Sequence, residues 1–282
     1  MEEAQIRGYL RERFRLFRLR DRTDLGEIDY HYHSFHKVLL FLGGQMQYII
    51  EGRRYPLKAG DLVLVPRGSV HKPEPAGQAP YSRYVLYLDQ DWLREPEESP
   101  LDRCFTLAEE TGSHVLRLPP EQGMGLLDRF RALEAAMGEQ EAYGAALLAE
   151  LELQRLMLEL CRLSLGQRET PPVQFDREIQ RVLQVIAGEL TEDLSAESLA
   201  ERFYMSKYHL MRRFREETGY TLHRYVSGKR LLLARDLLGR GLSPTEACFG
   251  CGYRDYSAFA RAYKKQFGVS PRRGLTNPAD EV

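Results

Sequence analysis

The chain is short of cysteine and tryptophan, with four Cys and one Trp in 282 residues. Cys104, Cys161, Cys248 and Cys251 are too few and too irregularly spaced for a disulfide framework, which fits a reducing cytoplasm. Cys248 and Cys251 form a C-x-x-C inside an expected helix, but no second ligand pair lies near. Small buried helix residues are therefore expected there, not a zinc or redox centre. Long apolar runs are missing too. No segment approaches 18 consecutive apolar residues, and the opening MEEAQIRGYLRERF has no hydrophobic signal core. The sequence thus predicts a protein that neither spans a membrane nor is secreted. Net charge is nearly absent, since 40 Lys and Arg against 41 Asp and Glu leave −1. That balance hides an asymmetry. Residues 202–273 hold 16 Lys and Arg and 5 Asp and Glu, an excess of +11 in an otherwise acidic chain. Such a segment is the electrostatic footprint expected of a protein that neutralises phosphates.

What is present is ordinary globular material, 43% hydrophobic and 29% charged, with length for two cored domains. Residues 14–118 alternate as strands do, for example at 38–41, 45–50, 61–65 and 84–88, with glycine turns between them. Many short strands with such turns predict a β-barrel or sandwich over residues 1–120. Helical periodicity follows over 121–165, through Leu126, Leu127, Phe130, Leu133 and Met137, then Leu148, Leu151, Leu156 and Leu160. A polar, proline-ended linker is expected at 166–173, and a helical domain over 174–275. The expected fold class is therefore two-domain α+β, a barrel with a helical appendage followed by an all-α domain.

The helical domain carries two helix-turn-helix patterns joined by a long helix. In each, a short helix with small residues (Leu199 and Ala200; Ala247 and Cys248) leads through a turn into a second helix. Ser195, Ser206 and Ser243, the last followed by Pro244, are the expected caps. Leu210 and Phe214, with Met205 as a further candidate, form one buried stripe; Phe259, Tyr263 and Phe267 form the other. Gly219 and Gly268 stop the two second helices. Two such units at a fixed offset can enter successive major grooves of a duplex.

The runs Ser206-Lys207-Tyr208-His209-Leu210, Arg212-Arg213-Phe214 and Thr218-Gly219 resemble the DNA-binding domain of the arabinose-regulator (AraC/XylS) family. So do Gly252-Tyr253-Arg254-Asp255 and the closing Phe267-Gly268-Val269-Ser270-Pro271. The likeness spans about 100 residues, departing at Ala247-Cys248, where relatives more often carry a bulkier aliphatic and then alanine. It implies base-reading positions at Tyr208, Met211 and Arg212, and at Tyr256, Ser257, Ala258 and Arg261. Lys207, Arg215 and Lys264 are left for phosphates. It also implies promoter DNA, RNA polymerase and a small-molecule effector as partners, an activator that works as a homodimer, and a place beside the nucleoid in a bacterial cytoplasm.

In the barrel half, His31-Tyr32-His33 precedes a strand, and GDLVLVPRGSVH runs from Gly60 to His71. The pairing of His31 with His33, and the spacing of Gly60, Pro66, Gly68 and His71, resemble the two motifs of cupin barrels. Three convergent imidazoles suit a divalent metal such as zinc, nickel or iron. Metal-binding cupins have a glutamate where this chain has Lys37, so the usual four-ligand set is incomplete; His36 substitutes only if the register allows it. His31, His33 and His71 are then either metal ligands or structural and effector-contacting groups. Tyr32, Tyr48 and Tyr84 are candidate pocket aromatics, with Tyr30, Phe35 and Tyr87 as further surfaces for stacking on a sugar ring. The leucine-rich helices either pack only on their own barrel or pair subunits through Leu148, Leu151, Met157 and Leu160. The leading expectation is a ligand-responsive regulator sensing a carbohydrate or related metabolite. The alternative, a metal-dependent cupin enzyme with an appended DNA-binding module, lacks an acid/base pair near the histidines.

Overall fold

Strands β1 (Phe14–Asp21), β2 (His36–Gly43), β3 (Met46–Ile50), β4 (Arg53–Pro56), β5 (Leu62–Val65), β6 (His71–Pro75) and β7 (Tyr81–Leu88) open the computed structural model of the chain. Leu10 and residues 12–21, 28–76, 80–94, 100–138, 141–166 and 173–272 are described. With β8 (Val115–Leu116) they form a five-stranded sheet, ordered β1-β7-β2-β5-β8, and a three-stranded one, β4-β3-β6. All pairings are antiparallel. One face of the larger sheet meets the smaller sheet through Leu39, Phe41, Val63, Val85 and Tyr87, against Tyr48, Ile50 and Tyr55. Its other face, with Val38, Leu40, Leu64, Tyr84 and Leu86, is covered by helices. A sheet buried on both sides needs apolar residues at every position, not at alternate ones.

Two of the covering helices, α1 (Gln90–Arg94) and α2 (Arg103–Thr111), interrupt a region whose sequence reads as strands throughout. Helices α3 (Pro120–Gly138) and α4 (Ala145–Gly166) follow where periodicity places them. The apolar face expected to join subunits is redrawn. Met157 and Leu160 are fully buried in the chain's own core with Leu153 and Leu156, whereas Leu148 and Leu151 are exposed. Linker residues 167–172 and the end of the expected helical domain, 273–275, lie outside the described residues.

The chain divides into two units, Met1–Gln174 and Phe175–Val282. The second contains α5 (Arg177–Gly188), α6 (Ala196–Arg202), α7 (Lys207–Thr218), α8 (Leu222–Gly239), α9 (Pro244–Gly250) and α10 (Tyr256–Phe267). The Ser195, Ser206 and Ser243 side chains accept from Ser198 N, His209 N and Glu246 N; Glu246 returns to the Ser243 amide to close a capping box. Gly219 and Gly268 end α7 and α10 in the left-handed conformation. Cys248 is buried in α9, and Cys251, also buried, is its C-cap instead of an interior helix residue. Met205 lies in the turn ahead of α7 and not on its buried stripe.

Candidate nucleic-acid interface and barrel site

Buried Leu210 and Phe214 fix the orientation of α7, as Phe259, Tyr263 and Phe267 fix that of α10. The opposite face of α7 presents Tyr208, 79% exposed, Met211, 42% exposed, and exposed Arg212 and Arg215. Their spacing of three and four puts all four on one stripe. Exposed Ser257, Arg261 and Lys264 line α10 in the same way, while Tyr256 and Ala258 are half-buried. The Tyr256 ring lies 6.0 Å from that of Phe259, and the Ala258 amide donates to the Asp255 cap. Lys207 is exposed and paired with Glu197 of α6; Arg212 pairs with Glu216 at 3.1 Å. Exposed pairs of this kind add little to stability, so a phosphate or base edge can displace the carboxylate. Arg213, in the same basic run, turns inward. Its Nε donates to Asp176 at 2.9 Å, tying α7 to the N-cap of α5.

The two helix-turn-helix motifs share a device that sequence inspection did not single out. Past the C-caps of α6 and α9, Phe203 and Cys251, the next residue has positive φ: Tyr204 (54°) and Gly252 (89°). This left-handed residue turns the chain from the first helix into the second.

In the first unit His31, His33 and His71 come together. Their candidate ligand atoms lie within 4.8 Å of one another, and among the described residues they are the one His/Cys/Asp/Glu group with this property. The backbones of His31 and His71 exchange two hydrogen bonds of 3.0 and 2.8 Å, and the His33 carbonyl accepts from Gly68 N at 2.7 Å. His33 stacks on Phe35, centroids 4.6 Å apart. The His31 Nδ1–H donates to the Asp29 carbonyl at 2.8 Å and the His71 Nδ1–H to the Ser69 carbonyl at 3.0 Å. A carbonyl only accepts, so each neutral ring keeps its lone pair on Nε2. Burial, then the neighbouring His31, His33 and Lys37, push the His71 pKa well below its usual value, so that ring is neutral. Its Nε2 is buried and makes no hydrogen bond among the described residues. This donor set fits a divalent cation. With metal–nitrogen bonds of about 2.1 Å, cis nitrogens stand roughly 3–3.5 Å apart, so the rings need to draw in by about an ångström.

Lys37 is buried in the barrel, its Nζ 5.9 Å from the Tyr48 ring centroid and 5.8 Å from that of Tyr87. Tyr48 also stacks 6.0 Å from His71. His36 does not join the cluster. One residue earlier on β2, it faces the opposite side, where its ring lies 4.2 Å from Phe105 and its Nδ1 accepts from Arg67 N. Burial, then Arg67 and Arg94, lower its pKa to about 3. Tyr84, expected from the sequence to line the pocket, does not: it lies on the helix-covered face and donates to Glu134 of α3 at 2.6 Å. Tyr87, one of the further aromatics, lies instead with Phe35 and His33, at 4.7 and 5.9 Å. Tyr32, between the two histidines in the chain, is half-buried.

An AraC-like ligand binding domain matches residues 14–160, and a helix-turn-helix domain matches 199–276. Similar curated proteins include the HTH-type transcriptional activators RhaS of Escherichia fergusonii and Klebsiella pneumoniae. The first is 25% identical over 262 residues, 89% of this chain and 88% of its own. The second is 25% identical over 248 residues, 86% of this chain and 85% of its own. Among solved structures, ToxT of Vibrio cholerae O395 aligns over 93% of this chain and 97% of its own at 10% identity, with a TM-score of 0.38. The C-terminal domain of AraT, a response regulator from Geobacillus stearothermophilus, aligns over 38% of this chain and 94% of its own at 27% identity, with a TM-score of 0.35.

Proposed function

Because the chain belongs to the AraC family of ligand-responsive transcriptional regulators, we propose that it is a cytoplasmic activator that reads two adjacent major-groove segments of a promoter and recruits RNA polymerase. One observation carries the readout: α7 and α10 each present an exposed stripe, Tyr208-Met211-Arg212-Arg215 and Ser257-Arg261-Lys264, opposite a fully committed apolar one. Arg212 and Arg261 have the donors for guanine edges, and Lys207, Arg215 and Lys264 supply phosphate contacts. The first unit senses a metabolite, carbohydrate or carbohydrate-derived, at the His31-His33-His71 end of the barrel, and works as a binding module and not an enzyme. The absence of a carboxylate from that cluster, among the described residues, supports this. The exposed Leu147, Leu151, Leu158 and Leu165 on α4 support a homodimer. Sequencing genomic fragments retained by the purified full-length chain, then footprinting the best of them, tests the proposal. Two protected major-groove segments about one helical turn apart are expected; retention without sequence preference would sink it.

A further inference from the structure

The three histidines of the first unit come from both of its sheets. His31 and His33 stand just ahead of β2, a strand of the larger sheet, whereas His71 opens β6 of the smaller one. Their ring centroids lie 5.0 Å (His31–His33), 4.3 Å (His31–His71) and 5.0 Å (His33–His71) apart, with planes inclined at 63°, 56° and 61°. No two of these rings stack flat, and a nitrogen of each lies within 4.8 Å of the others. Carbonyl acceptors on Nδ1 of His31 and of His71 leave Nε2 of each neutral ring as the lone-pair nitrogen. Aromatic packing alone does not account for the arrangement. The His71 Nε2 is buried and makes no hydrogen bond among the described residues, and a buried acceptor left unsatisfied is costly. An electron-pair acceptor placed between the rings removes that cost.

We propose that His31, His33 and His71 bind one divalent cation of the zinc, nickel and cobalt class, and that this cation cross-links the two sheets of the first unit. The donors are imidazole nitrogens, with no carboxylate among the described residues of the cluster. Nitrogen donors suit late first-row metals, whereas calcium and magnesium require oxygen. The backbone that carries the ligands is already joined across the site. His31 and His71 exchange two hydrogen bonds, and the His33 carbonyl accepts from Gly68 N. Side-chain rotation alone therefore remains to draw the rings onto an ion. Half-buried His31 gives ion and water a path, while His33 and His71 stay buried. Three protein ligands leave at least one position to water. Because the ligands converge only in the folded chain, the cation stabilises the first unit by linkage. None of this depends on which effector the regulator senses.

Full-length protein stripped with a chelator and titrated with Co2+ reports the site through the visible absorption of the bound ion. Wild type is expected to bind one Co2+ per chain, to release it to Zn2+, and to keep it against Mg2+ and Ca2+. Zn2+ should also raise the melting temperature of the stripped wild type. His33→Ala should lose the cobalt band and the thermal response to zinc. His31→Gln, at the half-buried position, disturbs the core least and should weaken Co2+ binding by about tenfold or more. The control His209→Ala/His223→Ala removes both histidines of the second unit and should leave the band unchanged. X-ray absorption of the zinc-loaded wild type needs no variant, and should show imidazole nitrogens at about 2.0–2.1 Å. A wild type without a cobalt band, a zinc shell of oxygen alone, or displacement of Co2+ by Mg2+ or Ca2+ would overturn the proposal. So would folded His31→Gln and His33→Ala variants that bind as tightly as wild type, or loss of the band in the control.

Discussion

At the scale of single residues, Gly252 and Tyr204 solve the same problem at different cost. Both supply the left-handed residue of a helix-turn-helix turn. A Cβ on Gly252 would lie 2.8 Å from Thr191 Cα and 3.0 Å from the Leu190 carbonyl, which Arg230 Nε also holds at 2.8 Å. Backbone and space therefore both demand glycine, and Gly252→Ala is expected to cost about 1–3 kcal/mol in urea unfolding. Tyr204 is 98% exposed and pays the left-handed strain. Tyr204→Gly is expected to raise stability by roughly 0.5–1 kcal/mol, the relieved strain less the added chain entropy; a lower melting temperature would show instead that the ring is bound on the protein. Arg212 and Arg261 differ again, because both lie on exposed stripes. Alanine at either should leave thermal unfolding unchanged and weaken specific duplex binding by about 1–3 kcal/mol. Unchanged promoter affinity in both variants would remove the two-helix readout.

Elements explain which parts of the fold were legible in the sequence. Caps and stops are short-range signals, so Ser195, Ser206, Ser243 and the glycines after α7 and α10 stand where inspection put them. Parity on strands is different. On β7 Tyr84 and Tyr87 are both fully buried, one under α3 and one between the sheets, and an apolar run covered on both sides carries no mark of which face is which. For the same reason α4, with leucines nearly all round, did not reveal which of them its own barrel takes. The convergence of three histidines was legible because glycine and proline spacing fixes the turn before His71. On β2 parity has a measurable consequence, since it sends Lys37 into the barrel and His36 toward Phe105. His36 titrates near 3 when folded and at the ordinary value of 6.5 when unfolded. Between these limits the unfolded chain binds the extra proton, so its contribution to stability is complete above pH 6.5 and falls as pH drops toward 3, by about 1.4 kcal/mol per unit. His36→Asn keeps an acceptor for Arg67 N and should flatten that slope by one proton in urea titrations at pH 4–6; an unaltered slope would assign the acid sensitivity elsewhere.

On the scale of the whole molecule, two short recognition helices with limited contacts need help to find one promoter among many competing sites. Pairing subunits supplies it, since the second site is met at an effective concentration set by the linkage and not by the bulk. Helix α4 offers the means. Leu151, Leu158 and Leu165 are exposed at intervals of seven, with Leu147 one turn before the first, while Leu153, Leu156, Met157 and Leu160 are spent on the barrel side. In the proposed homodimer, a seven-residue repeat of exposed leucine over a 22-residue helix would form the seam of a two-helix contact. These leucines contribute little to their own subunit's core, so the double variant Leu151→Glu/Leu158→Glu should keep the wild-type melting temperature of an isolated chain. It should also place four like charges across the seam of a dimer. Light scattering is expected to show dimeric wild type and monomeric variant. Affinity for a promoter with two sites should fall by roughly 10²–10⁴ while affinity for one site stays unchanged. A wild type that is monomeric at promoter-binding concentrations, or a variant that still dimerises, would leave the stripe without this role and require the two recognition helices of a single chain to supply all of the specificity.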